Sequence, residues 1–558
     1  MLHKTLRNHG GKFEGPPYSL SLRMVHRSDK EMIESTQRPI FVAKYSPDQG
    51  GNDFLGLRAV NTNLMGQCLP GINNVSAHLR PFSLIAWIFW KFHQLSVAAN
   101  RTSPTSEELQ VWRAKIEVLF TWSHVLNGVG GIPGTQAHVP KSGYAPLDFA
   151  AWKRQPSSTS LMAAIQYGPA AKSPDGLGFI EQTEHGLFRT TGFGNQLADA
   201  LEKSLDGVGR PKLLQDLSQA SATPKEVSEL YSHWAIQTPT AKERRAFWSA
   251  FYSESAIGGG SRTGDRSATL SLILQLLQTA KRPLTVDEIR SSFFHGMILQ
   301  RKSSSVPKPL VKNWHRWICL QVRQAQRLAL ESLLGWLERR LIEGHERDTE
   351  TIAGHIEGVW QANTSVLKHG RTVSEVRSSF AAESLQTLLL RSFKDEGFSI
   401  FVLMDEVRSR FDKGDDLHVV YALRSLFLCA EYVRLLSACE TIDADLSLGG
   451  AERISLRFWL DSLDRSRDLG IKEFILLLLE QHIISQHLAV AARRYDGGTQ
   501  RLRISIEEEG LTALAGGSLQ ITVTPDRLFT ALSLMAECKV IQVDTTTWTF
   551  FAPLDSQT

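Results

Sequence analysis

Apolar residues recur along most of the chain at helical spacing. In SEELQVWRAKIEVLFTWSHVL, Ser106 to Leu126, the residues Leu109, Trp112, Ile116, Leu119 and Phe120 fall on one stripe, and Ser106 stands where a helix cap is needed. NWHRWICLQVRQAQRLALESLLGWLERRLI, Asn313 to Ile342, has no proline and one glycine and predicts a long amphipathic helix. HVVYALRSLFLCAEYVRLLSA, His418 to Ala438, predicts another. FSLIAWIFW, Phe82 to Trp90, is apolar on every side, as a helix central to its domain should be.

Three segments depart from this pattern. SATLSLILQLLQTAKRPLTVDEIRSSFF reads as helix, turn, helix, with Thr285 and Glu288 spaced as a capping box. SIFVLMDE, Ser399 to Glu406, looks like an apolar strand ending in two acids. Near the C-terminus, alternation of Leu519, Ile521 and Val523 suggests a strand. Thr524 and Pro525 would then start a helix bearing Leu528, Phe529, Leu532 and Met535, followed by a KVIQV–DTTT–WTFF hairpin. Helix followed by a two-stranded wing is the winged-helix order. The predicted class is therefore mainly α, a multi-domain helical protein with small α+β winged-helix-like modules.

Gly- and Ser-rich breaks divide it. YGPAAKSPDGLG (Tyr167 to Gly178) is a loop within the first half, SAIGGGSRTGDRS (Ser255 to Ser267) is the best linker, and SLGGAER (Ser447 to Arg453) is a further break. The expected arrangement is a disordered basic arm at 1–35, a helical domain at 36–255, and a linker at 256–266. A central helical domain at 267–446 would begin with a winged-helix-like unit, and a C-terminal winged-helix-like domain would occupy 447–558.

The length of 558 residues suits three or four domains, and 42% apolar with 22% charged residues is ordinary for a globular chain. A net charge of +4 excludes a polycation, but Lys281 to Arg340 carries twelve Lys and Arg against four Asp and Glu. Such a surplus either attracts phosphate or solvates one helix face. The phosphate reading selects Lys281, Arg282, Arg290, Arg301, Lys302, Lys308, Lys312 and Arg316. Five scattered cysteines without a CxxC pair argue against a disulfide framework or a zinc ribbon. The apolar runs FSLIAWIFW and FILLLLE are shorter than a membrane span, and the first thirty residues lack a signal-like apolar core. A soluble, cytoplasmic protein is expected.

Candidate chemistry is sparse. NGVGGIPG follows a helix and lacks Gly-Lys-Ser/Thr, so it predicts a helix C-cap rather than a phosphate loop. The acids of SIFVLMDE have no such loop to face. Arg340 and His345 have the Arg-x4-His spacing of helical ribonucleases, where arginine holds phosphate and histidine moves a proton. His482 and His487 are five apart and do not share a helical face. In CLPGINNVSAHLRPF, the polar residues Asn73, Asn74, His78 and Arg80 crowd before the apolar helix. They read either as buried anchors of the turn or as a ligand or partner contact.

The segment GLRAVNTNLMGQCLPGINNVSAHLRPFSLIAWIFW resembles a bacterial family found in phage-defence and mobile-element gene neighbourhoods, and NWHRWICLQVRQAQRLALESLLGWLE and the C-terminal helix–hairpin look similar to later blocks of it. The chain departs from the family at His78 and Pro81-Phe82, and no functional residue is carried across. The resemblance implies a subunit of an antiviral defence or DNA-processing assembly, working beside an ATPase, helicase or nuclease subunit. With the basic segment, it predicts a non-enzymatic nucleic-acid-binding or scaffolding subunit with DNA as a possible partner and no cofactor. The alternatives are a divergent metal-independent ribonuclease using Arg340 and His345, or a sensor subunit that binds a phage product.

Overall fold

Side chains that satisfy the first free amides set several helix starts. Thr105, Thr223, Thr240 and Thr285 each accept from the amide of the glutamate three residues on, and that glutamate accepts from the threonine's own amide. The expected Thr285–Glu288 box is present, with Glu288 N donating to Thr285 Oγ1 at 3.2 Å. In the 106–126 helix the cap is Thr105 rather than Ser106, because Glu108 lies three residues beyond Thr105 and completes the box.

A computed structural model describes residues 53–553 except 101–103, 135–141, 149–150, 153–158, 185, 207–211, 297–305, 440–441, 496–500 and 515–518. In chain order its principal helices begin with α1 (Arg58–Cys68), α2 (Arg80–Ala98), α3 (Ser106–Leu126), α4 (Gly192–Leu205) and α5 (Pro224–Trp234). They continue as α6 (Ala241–Phe251), α7 (Arg262–Ala280), α8 (Val286–Phe294), α9 (Val311–Ile342) and α10 (Thr349–Ala362). The remainder are α11 (Ile400–Lys413), α12 (His418–Leu436), α13 (Leu456–Arg465), α14 (Ile471–Arg493) and α15 (Leu528–Glu537). The fold is mainly α, as its apolar spacing requires.

Helix α2 is buried nearly all round, packed by α3 and α4, which in turn pack on α5 and α6. The second centre is α9, enclosed by α12, α11, α1 and α7. It runs so close to α11 that a Cβ on Gly335 would stand 2.7 Å from the Phe411 ring.

The expected boundaries at 255 and 447 fall inside a single unit spanning 49–558. The second half of the predicted linker is helical, since Ser261 caps α7 and Arg266 is buried. Arg266 donates to the carbonyls of Pro70, Ala250 and Phe251, at 2.8–2.9 Å, which ties α7 to the first half of the chain. Across the 447 break, Arg323 of α9 donates to the Arg453 carbonyl at 2.6 Å and also to that of Ile454. The predicted 1–35 arm lies outside the described residues.

Two predicted strands are absent. Ser399 caps helix α11 through the SIFVLMDE segment, leaving Asp405 exposed on its outer face. Residues 519–524 are extended but unpaired with another strand: α9 side chains receive their amides instead. Leu519 N donates to Glu338 at 3.0 Å, and Thr524 exchanges two bonds with the Gln324 amide. The Thr524 hydroxyl accepts from Arg327 instead of capping, and α15 starts at Leu528 behind Arg527 rather than at Pro525.

The helix–turn–helix near 267 and the C-terminal helix–hairpin, expected in different domains, share one antiparallel sheet. Its strands are β1 (Leu284–Thr285), β2 (Gln542–Asp544) and β3 (Thr549–Phe551), in spatial order β1-β3-β2. Phe550 pairs with both Leu284 and Val543 and is fully buried. Among the described residues, α14 is the one helix long and apolar enough to cross a membrane, because FILLLLE continues through a π-helical turn into Ser485–Arg493. Most of its apolar stretch is buried inside the fold.

Candidate nucleic-acid interface

The basic segment is largely spent inside the molecule. Arg316 is buried between Asp445 at 3.1 Å and Asp265 at 3.2 Å. Arg290 is paired with Asp526 at 2.6 Å and with Asp287. Arg282 meets Glu288 at 2.8 Å. Arg323, Arg327 and Arg340, which make up more of the surplus, are buried as well. Lys281 and Lys308 are exposed and Lys312 is half-buried, whereas Arg301 and Lys302 lie outside the described residues. Among the described residues the segment presents no continuous basic face: Arg316, Arg323, Arg327 and Arg340 are buried on carboxylates, carbonyls and the Thr524 hydroxyl.

Arg340 and His345 are held by different partners. Arg340 packs on Trp336 and is held by Glu346 at 2.8 Å and Asp416 at 3.7 Å. The exposed His345 ring meets Glu343 at 3.5 Å. Its backbone amide donates to the Arg340 carbonyl, closing the end of α9, so the spacing reflects a helix terminus.

The polar crowd before α2 is bonded within the chain. Asn73 Nδ2 donates to Gln166 O, and Asn74 Nδ2 to Pro525 O, each at 2.7 Å. Glu537 accepts from Leu79 N at 2.6 Å and meets His78 Nδ1 at 2.7 Å, capping α2 from the end of α15. Arg80 is buried against Glu243 at 3.3 Å and donates to the carbonyls of His233 and Thr238. Of the two readings, these contacts are those of anchors.

The other histidines of the motifs are structural. His482 Nε2 bonds Ser462 Oγ at 2.9 Å, and burial pushes its pKa down to about 4. His487 bridges the Phe54 carbonyl and the Arg503 amide, and burial lowers its pKa too. Among the described residues no group of three or more His, Cys, Asp or Glu could hold a metal ion. All five cysteines are free thiols, and burial raises those of Cys68, Cys319, Cys429 and Cys538, away from nucleophilic reactivity.

A different surface concentrates unpaired cations. Helix α6 buries Ala246, Phe247, Ala250 and Phe251, which turns Arg245 outward and leaves Arg244 and Trp248, one turn apart, half-buried at the flank. These residues form one wall of a groove of about 530 Å³. The other wall is the turn leaving α15, Cys538, Lys539 and Val540. Lys539 holds a left-handed conformation, φ 63°, that lets the amides of Lys539 and Val540 close the end of α15 on Ala536 and Met535. Trp248 is half-buried and stacks on Tyr252, with ring centres 5.0 Å apart and planes 18° apart. Tyr252 is itself fixed by Ser271 at 3.1 Å.

No acid lines this groove. The acids next to the lining residues in sequence are committed elsewhere, Glu243 to Arg80 and Glu537 to His78 and Leu79. The Nε of Arg244 meets no acceptor. Three cations beside a supported indole can hold phosphate while a flat ring packs on the indole. A second exposed feature is the β2–β3 turn, where its Trp548 and Phe529 of α15 lie 5.2 Å apart, 48% and 37% exposed.

No family model, curated protein or solved structure matches this chain.

The groove residues were not selected from the sequence. The available signal was AKERRAFWSAF, in which Arg244, Arg245 and Trp248 flank an apolar stripe. Nothing in the chain's local pattern places Lys539 beside them.

Proposed function

We propose that this protein is a non-enzymatic nucleic-acid-binding subunit, acting in a bacterial defence or DNA-processing assembly, and that it holds the nucleic-acid backbone in the α6–α15 groove. The observation that carries this reading is the groove's composition: Arg244, Arg245 and Lys539 around Trp248, with no acid in the lining. The order α7–β1–α8, then α15–β2–β3 with β3 central, supports a winged-helix-like unit interrupted by residues 295–527. The groove borders that unit at the end of α15. The assembly and its ATPase, helicase or nuclease partner rest on the sequence resemblance alone.

Titration of labelled DNA across a salt series, with magnesium present and cleavage scored on the same samples, tests the proposal. Three phosphate contacts on a single strand give a slope near −2 in log–log form, a loss of roughly 20-fold in affinity from about 50 to about 200 mM salt. The triple variant R244E/R245E/K539E abolishes this binding, and no cleavage accompanies it. Absence of binding at low salt, or an unaffected triple variant, overturns the reading. In that case the exposed Phe529–Trp548 pair favours the second reading, a scaffold that contacts protein through the wing.

A further inference from the structure

We infer that the α6–α15 groove takes single-stranded nucleic acid, one base stacking on Trp248 while flanking phosphates meet Arg244, Arg245 and Lys539. This rests on the nucleic-acid reading of the same groove and adds the substrate class.

Three observations favour a single strand over a duplex. First, the groove of about 530 Å³ has the volume of a nucleotide or two. Its cations stand on two walls, so a strand between them is held from both sides. A stiff duplex can lie across such an open groove by its backbone alone, whereas a single strand can also turn a base into it. Second, the indole is presented at the groove and braced from behind, Trp248 on Tyr252 and Tyr252 on Ser271. A braced aromatic surface is useful to a base whose face is free, and paired bases inside a helix have none to offer. Third, the helix that would enter a major groove in a winged-helix-like unit is α15, and it carries no basic residue. It buries Leu528, Thr530, Ala531, Leu532, Leu534 and Met535, and its neighbouring Arg527 is turned inward to the Leu69 carbonyl at 3.1 Å. Base-edge reading of a duplex needs exposed donors that this helix lacks.

Stacking and phosphate contact separate cleanly by mutation. Trp248 is half-buried, lines the groove and also packs on Phe251, with 6.0 Å between ring centres, and on Tyr252, so removing its ring costs some stability while Ala246, Phe247 and Ala250 keep the buried face of α6. Fluorescence anisotropy of labelled oligo(dT), oligo(U) and a DNA duplex of equal length, at low salt, reads the outcome. Oligo(dT) is expected to bind at least about tenfold more tightly than the duplex. Trp248→Ala is expected to weaken oligo(dT) binding about tenfold with the salt slope unchanged, while Trp248→Phe retains most of the affinity. Circular dichroism and melting temperature of each variant establish that it is folded. Tighter binding of oligo(U) than oligo(dT), or the reverse, assigns RNA or DNA within the same class. Equal affinity for duplex and single strand, or no loss in folded Trp248→Ala, overturns this inference while the groove remains a backbone site. Failure of all three probes to bind overturns the nucleic-acid reading itself.

Discussion

His124 sits at the end of α3 with no exposure to solvent, and its ring bridges two backbone groups. Nδ1 lies 2.7 Å from the Phe120 carbonyl, so it carries the proton. Nε2 accepts from Ile236 N at 3.0 Å, so it has none. A second proton would set Nε2–H against that amide and bury a cation near Arg80. Burial chiefly, and Arg80 in addition, push the pKa from 6.5 down to about 4. Because the folded value lies below the unfolded one, the unfolded chain takes up the proton first as pH falls. The contribution is whole above about pH 6.5 and is lost down to about pH 4. Between pH 7 and about pH 5 this one ring costs about 2 kcal/mol of stability. A cooperative unit of about 500 residues has an unfolding entropy near 1 kcal/mol per degree, so the loss is about 2 °C in melting temperature. His124→Gln removes the titration while keeping a polar amide, and should therefore show a fall about 2 °C smaller than wild type over this pH range. In protein labelled with ¹³C-histidine, the resonance missing from the variant should not shift above about pH 5. A His124 ring that titrates near 6.5, or equal pH losses in the two proteins, would refute the reasoning.

Two further variants test the packing of α9. Gly335→Ala pushes a methyl to within 2.7 Å of the Phe411 ring and 3.3 Å of Leu519. It should destabilise by about 1–3 kcal/mol in thermal or denaturant unfolding, and a stability within error of wild type would mean that α9 and α11 are less tightly apposed. Arg316→Met strands two carboxylates, Asp265 and Asp445, and should cost about 3–5 kcal/mol. The same variant should leave oligo(dT) affinity unchanged at a temperature where it is folded, whereas a loss of binding with an intact melting curve would return the basic segment to the interface.

The helices were legible because their stripes are local. Leu109, Trp112, Ile116 and Phe120 are buried in α3 as their spacing demands, and the Thr285–Glu288 box marks a real helix start. Strands were harder to read. SIFVLMDE has the composition of a buried strand, but Leu403, Met404, Val407 and Phe411 form a helical stripe that continues past the acids, and packing on α9 and α12 takes that stripe. In the 519–524 segment the alternation is genuine, with Leu519 and Ile521 buried, yet the amides of Leu519 and Thr524 are satisfied by Glu338 and Gln324. Period alone does not distinguish a strand from an extended chain whose partners are side chains.

Charge misled for a related reason. Counting cations along Lys281 to Arg340 treats each as solvent-facing, but a long central helix can bury arginines whenever distant segments supply acceptors. For Arg316 these are Asp265 and Asp445, for Arg323 the 453–454 carbonyls, and for Arg340 Glu346 and Asp416. Sequence carries no mark of those acceptors until the chain has folded. Arg244, Arg245 and Lys539, by contrast, line one groove because the turn leaving α15 closes on α6. The strand pairing that joins Leu284 to Phe550 and the Glu537 cap on α2 fix that closure. The groove is thus a consequence of long-range ties, and its position depends on contacts between segments more than 200 residues apart, such as Leu79 with Glu537.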